Sequence, residues 1–253
     1  MKLYTLLLIF FLSISIYAQC PSGNITISSQ AEFDKFARNY SNCKTIDGNF
    51  TITGTVTSLA PLQNIEEIKG NLTIRNTNIV DFTINLAISK IDGNLRILEN
   101  SSLKDLNSFN ELVEVNDIYI EDIKGYLKGF DKLEKVNTID LKRLGMSLDA
   151  FQNLKFIEKN LQMDKAGLVL SIFPAFNKVV YIKGSLIMED YAHGVGLFSE
   201  LKCVGNNLYI RRTGINEIEG FNKLESIGSL GGGNFEISES MELTVFTGFN
   251  NLE

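Results

Sequence analysis

Few residues of this 253-residue chain have types that could do chemistry. Its one histidine, His193, sits in the loop-like stretch Tyr191-Ala192-His193-Gly194-Val195-Gly196, without a cysteine or acidic partner at metal-ligand spacing. No Gly-x-Ser-x-Gly, His-Glu-x-x-His or phosphate-loop pattern occurs. Gly231-Gly232-Gly233-Asn234 is glycine-rich but leads into an apolar-x-apolar strand rather than a helix, so it reads as a turn insertion and not a phosphate cradle. The sequence implies no metal and no cofactor, and the chain reads as a non-enzyme. Three cysteines remain. Cys20, Cys43 and Cys203 permit one bond and leave one thiol over, either free or paired with a cysteine outside this sequence.

Charge and the first residues bound the function classes. Lys2 precedes an almost wholly apolar run from Leu3 to Tyr17, and Ala18 precedes a polar, turn-forming stretch. That layout predicts a secretory signal peptide over residues 1–18. An acylated Cys20 and an uncleaved anchor are the alternatives. Nothing later is long and apolar enough to be a membrane span. Beyond the leader, 23 basic residues face 30 acidic ones. That balance argues against binding a nucleic-acid backbone, which needs clustered Lys and Arg. Export permits a disulfide. Asn-x-Ser/Thr sequons stand at Asn24, Asn39, Asn49, Asn71 and Asn100.

The elements that must position any site are set by a repeat. Ile46-Asp47-Gly48-Asn49-Phe50-Thr51-Ile52 returns as Ile68-Lys69-Gly70-Asn71-Leu72-Thr73-Ile74 and as Ile91-Asp92-Gly93-Asn94-Leu95-Arg96-Ile97. Weaker copies bring the Asn-equivalent positions to 49, 71, 94, 117, 138, 160, 185, 207 and 234. Apolar-x-apolar is a period of two, so alternate side chains share a face. One such strand cannot bury its inner face alone. Stacked turns set equivalent strands side by side and make one continuous core. The expected fold is mainly β, a parallel solenoid of about nine turns of 21–27 residues, roughly 40 Å long at the usual strand spacing. Gly before each strand is expected to supply backbone freedom, and the Asn after it to turn inward as a ladder rung. With Asn49 and Asn71 inward, glycosylation could not reach them.

Residues 19–45 read as an N-terminal cap. Ser29-Gln30-Ala31-Glu32 is a capping box. Phe33, Phe36, Ala37 and Tyr40 then follow on one helical face. Cys20 and Cys43 bracket that helix, and a bond between them would pin it over the first turn. Residues 46–253 form the solenoid. The chain ends within a repeat at Phe249-Asn250-Asn251-Leu252-Glu253, which predicts a truncated C-terminus.

Cys20, the helix, Cys43 and the first Ile-Asp-Gly-Asn-Phe-Thr-Ile copy together resemble the start of a receptor L domain, the ligand-binding domain of EGF- and insulin-receptor families. The resemblance covers roughly residues 20–253. It implies a right-handed β-helix, a bonded N-terminal cysteine pair and ligand binding on a solenoid face. The chain departs from the family in having more turns, no tryptophan and, up to residue 253, no cysteine-rich module after the solenoid. The leader ending Tyr17-Ala18-Gln19 is similar to those of secreted Bacteroidetes proteins.

The outward positions then become the candidate site. The first column is Thr51, Thr73, Arg96, Tyr119, Asp140, Gln162, Ile187, Tyr209 and Glu236; the second runs two residues further on. Two places stand out: Tyr119 near Arg96 and Leu98, and Tyr209 near Ile187 and Arg211. The expected function is a secreted or cell-surface binding or adhesion module whose partner is a protein or a glycan. The alternatives are a structural spacer and a carbohydrate-active β-helix enzyme. The last would need paired acids in adjacent turns, and the first column has none.

Overall fold

The computed structural model describes residues 20–253 other than 83, 146, 166–174, 191–197, 215, 219 and 230. The leader, His193 and Tyr191 lie outside the described residues. Ten parallel strands form one long sheet in chain order: Ile25–Ser29, Phe50–Thr55, Leu72–Thr77, Leu95–Leu98, Asp117–Ile123, Thr138–Leu144, Leu161–Asp164, Leu186–Glu189, Leu208–Arg211 and Phe235–Ser238. The last nine are the repeat strands, so eight full circuits of a β-solenoid separate the first from the ninth. The first strand was not expected. It reads Gly23-Asn24-Ile25-Thr26-Ile27, a copy of the repeat lying inside the cap region, and Ile25 pairs with Phe50.

Period-two alternation sets the core. Phe50, Leu72, Leu95, Ile118, Ile139, Leu161, Leu186 and Leu208 are register partners in succession, and all are fully buried. Each such burial contributes roughly 1.5–3 kcal/mol relative to exposure. On a second side, short strands such as Lys90–Ile91 and Tyr181–Ile182 form sheets of four and five strands. A third column is aromatic. Phe109, Phe130, Phe151, Phe176, Phe198, Phe221 and Phe249 stack with ring centroids 4.7–6.0 Å apart. Each starts a tight turn closed by a backbone bond from the residue three further on, as when Leu133 N–H donates to the Phe130 carbonyl.

The Asn ladder forms, but on the sheet's edge and not in the core. Asn71 N–H donates to Asn49 Oδ1 at 2.7 Å, Asn94 N–H to Asn71 Oδ1 at 2.8 Å and Asn234 N–H to Asn207 Oδ1 at 2.9 Å. Asn24 adds a rung below Asn49, and Ser185 serves as a shorter rung between Asn160 and Asn207. The Asn rungs are half-buried or exposed, which corrects the inward expectation, and only the Ser185 rung is buried. Gly48 has φ +146°, the backbone freedom expected, but the reason at later corners differs. A Cβ on Gly70 or Gly93 would lie 2.6 Å from the Oδ1 of the preceding rung. Glycine is needed for close approach rather than for backbone freedom at those corners. The pattern is consistent: glycine stands at 48, 70, 93, 184 and 233, wherever the next backbone N–H docks on an Asn rung. Asn206 stands where the facing rung is the smaller Ser185.

The cap is a helix, Gln30–Asn39. Ser29 Oγ accepts from Glu32 N–H at 3.3 Å, while Glu32 reaches back to Ser28 N–H at 2.9 Å, one residue from the expected arm of the capping box. Phe33 and Phe36 are buried and pack on Phe50, at 6.0 and 5.1 Å between centroids. Cys20 and Cys43 are disulfide-bonded, Cα–Cα 5.4 Å, and a Cys20 so engaged has no thiol to acylate. Cys203 is unpaired and half-buried, in register with Ser226.

Candidate functional site

The first strand, Ile25–Ser29, stays extended at Ser29 (φ −145°), but each of the nine repeat strands reaches the same corner. The second residue beyond its last inward side chain adopts a left-handed backbone: Gly54, then Asn76, Glu99, Asp122, Arg143, Lys165, Asp190, Arg212 and Glu239. Only the first is glycine, so the corner carried no sequence signal. The turn takes the chain away from the sheet plane.

The first outward column is in register throughout. Thr51 pairs with Thr73, Thr73 with Arg96, Arg96 with Tyr119, Tyr119 with Asp140, Asp140 with Gln162, Gln162 with Ile187, Ile187 with Tyr209 and Tyr209 with Glu236. All nine side chains are half-buried, as expected for neighbours on a flat exposed sheet.

Both tyrosine–arginine groupings therefore exist, but they differ. The Arg96 guanidinium lies 4.7 Å from the centre of the Tyr119 ring, and among the described residues it has no ion pair. Leu98 is half-buried on the same strand, in the second column, in register with Arg75. The Arg211 guanidinium lies 3.9 Å over Tyr209 and is consumed within the protein. It donates to both Glu236 carboxylate oxygens, at 2.9 and 2.6 Å, and reaches Glu189 at 3.5 Å. Those bonds from Arg211, with one from Ser238, hold the Glu236 carboxyl below its usual range. Asn234 Nδ2 also donates to the Tyr209 hydroxyl at 3.2 Å. Ile187 lies beside Tyr209 in register.

Around Tyr119 the sequence reading missed the acceptors. Asp117 precedes Tyr119 by two residues on the same face, Asp140 is its register partner, and Asp164 lies in the second column beside Lys142. The Oδ1 atoms of all three are shielded from solvent and have no hydrogen-bond partner among the described residues. Asp140 Oδ2 takes Lys142 Nζ at 2.8 Å. Burial pushes the Tyr119 phenol above its ordinary pKa, the Asp117 charge adds to this, and Arg96 opposes it. Period two on Asp117-Ile118-Tyr119 was signal enough to place the first of these carboxylates.

Acid pairs do fall in register elsewhere, Asp164 with Glu189 and Asp81 with Asp105. Glu189 is engaged by Arg211 and Arg212. Among the described residues, no group of three His, Cys, Asp or Glu side chains has metal-holding geometry, and no helix is long and apolar enough to cross a membrane. Of the five sequons, Asn100 is fully buried. Its Oδ1 accepts from Thr77 N–H and Oγ1, and its Nδ2 donates to the carbonyls of Ile74 and Leu98. Asn24 and Asn39 are exposed.

Comparison with known proteins gives three findings. No solved structure matches the chain. The chain is similar to the cell wall mannoprotein PST1 of two Saccharomyces cerevisiae strains, YJM789 and ATCC 204508 / S288c, at 28% identity over 222 residues, 79% of this chain and 47% of theirs. It thus spans about half the length of the curated relatives it matches. Residues 42–88, which carry Cys43 and the first two strands bearing an Asn rung on a preceding Asn, match the receptor L domain family.

Proposed function

We propose that this chain is a non-catalytic, exported surface module that binds a macromolecular partner through the outward face of its long sheet. The observation that carries this reading is the Arg96–Tyr119 pair: a half-buried aromatic ring on a flat face, with a guanidinium over it that has no ion pair among the described residues. Tyr and Arg are the residue types in which binding energy concentrates, and a rigid sheet fixes them before the partner arrives. Leu98 extends the same patch. Ile187, Tyr209 and Arg211 lie three and four strands beyond Tyr119 on the same face and are secondary to the patch, because Arg211 is already satisfied internally. The receptor L domain match and the cell wall mannoprotein relatives support a surface role. The disulfide fits an oxidising compartment, and the leader over residues 1–18 supports export. A Bacteroidetes source rests on the leader alone, beside curated relatives from yeast.

A glycan and protein array probed with the mature chain, followed by hydroxyl-radical footprinting on any hit, tests this reading. Protection should centre on residues 95–98 and 117–121. Protection on the opposite short-strand sheets, around Phe156 and Tyr181, would remove the sheet-face assignment.

A further inference from the structure

The chemistry around Tyr119 narrows the partner, on the reading that the long-sheet face binds. Arg96 offers guanidinium donors with no ion pair among the described residues. Asp117 and Asp140, on the other sides of the ring, each hold one carboxylate oxygen without a partner. An ionised carboxylate has about four lone-pair sites, so Asp140, which among the described residues takes only Lys142 Nζ through Oδ2, keeps acceptor capacity beside the ring. The patch spans on the order of 10 Å, set by adjacent strands and alternate residues. An anionic partner meets the aspartates, and a cationic one meets Arg96. An apolar partner would bury donors and acceptors without mates, at a penalty for each. A hydroxyl is both donor and acceptor, so a neutral polyol satisfies both sides at once, and the Tyr ring supplies an apolar floor with a polar tip.

We propose that the Arg96–Tyr119 patch, with Asp117 and Asp140, takes a neutral polyhydroxylated glycan chain. Tyr119 is its floor, Arg96 donates to ring or hydroxyl oxygens, and the two aspartates accept from hydroxyls. The Tyr209 grouping does not serve, because Glu236 and Glu189 occupy Arg211 and Asn234 occupies the Tyr209 hydroxyl.

The test titrates the full chain with neutral mannan, β-1,3-glucan and chitin oligomers, with cationic chitosan and anionic polygalacturonate oligomers alongside, followed by amide NMR. At least one neutral oligomer should bind, with shift changes centred on residues 94–98 and 117–121. Its affinity should change little between about 0.05 and 0.5 M NaCl, since no ion pair is formed. Tyr119→Ala and Arg96→Gln should each weaken it roughly tenfold or more, as for central contacts, and Tyr209→Ala should not. Arg96→Gln keeps an outward polar side chain, so it remains informative if Tyr119→Ala lowers the melting temperature. If only a charged oligomer binds, through Tyr119, the neutral-glycan assignment fails and the sheet-face reading survives. If a neutral oligomer binds both variants as well as it binds the parent, both fail. If no oligomer binds, the glycan assignment fails.

Discussion

Two tyrosine–arginine pairs lie on one face of one sheet, four strands apart, and only one is available to a partner. The difference comes from register. Arg96 sits opposite Tyr119 on the adjacent strand, and its neighbour in the preceding turn is Thr73, which offers no charge. Arg211 is on the same strand as Tyr209, and its register neighbours include Glu189, with Glu236 beside Tyr209 in the next turn. Carboxylates one turn above and one turn below close the second pair. For these two arginines, residues in the neighbouring turns, 22 and 25 positions away in the case of Arg211, decide whether the side chain is free.

The largest effects should be shared by the two regions. Leu95 lies beside Arg96 and Leu208 beside Tyr209, both fully buried. Replacing either by Ala should cost about 2–5 kcal/mol in denaturant titrations. A marked inequality would mean that the regions differ in their cores and not only on their surface. A smaller effect should separate them. Gly93→Ala places a methyl 2.6 Å from Asn71 Oδ1, and overpacking of this kind costs roughly 1–3 kcal/mol. Asn206→Ala, at the equivalent position before the Tyr209 strand, faces Ser185 and should be near neutral by the same titration. If both substitutions cost the same, the close-approach account of the glycines is wrong.

Smaller again are the side chains of the pairs themselves. Arg211→Ala frees Glu236, leaves Glu189 to Arg212 alone, and should lower the melting temperature more than Arg96→Ala, which breaks no ion pair among the described residues. Glu236 has a depressed carboxyl pKa, so its contribution is present at neutral pH and is lost as pH falls through that lowered value. The Arg211→Ala penalty should therefore shrink in acid. At the other pair the sign reverses. The Tyr119 phenol is raised by burial, so whatever stability its neutral form supports is intact below the ordinary tyrosine range and is lost as pH rises through the elevated value. Ultraviolet titration should show one late-ionising phenol that is absent from Tyr119→Phe.

Much of this was legible in the sequence. The nine copies of the repeat place every strand of the long sheet but the first, and period two assigns the inward residues from Phe50 to Ile210, all buried, with half-buried outward residues between them; at the last strand Phe235 is exposed. The first strand was equally legible, since Gly23-Asn24-Ile25-Thr26-Ile27 carries the motif but stands ahead of the helix. The Phe stack had its signal in the recurrent Phe-x-x-Leu spacing from Phe109 to Leu252. What the sequence could not carry was the physical state of the surface. The left-handed corners fall on Glu99, Asp122 and Arg143, which advertise no turn. The closing of Arg211 by Glu236 depends on a turn of 27 residues, itself lengthened by the Gly231-Gly232-Gly233 insertion, whose glycines adopt a turn anchored on the Gly228 carbonyl.

The contrast between an open and a closed pair is read most directly from the arginine side chains. Nitrogen-15 NMR of the Nε–Hε groups reports hydrogen exchange and bonding at each guanidinium. The predicted result is slow exchange at Arg211 that becomes fast in Glu236→Gln, with Arg96 fast in both proteins. Equal protection of Arg96 and Arg211, or an Arg211 signal indifferent to Glu236→Gln, would contradict the account.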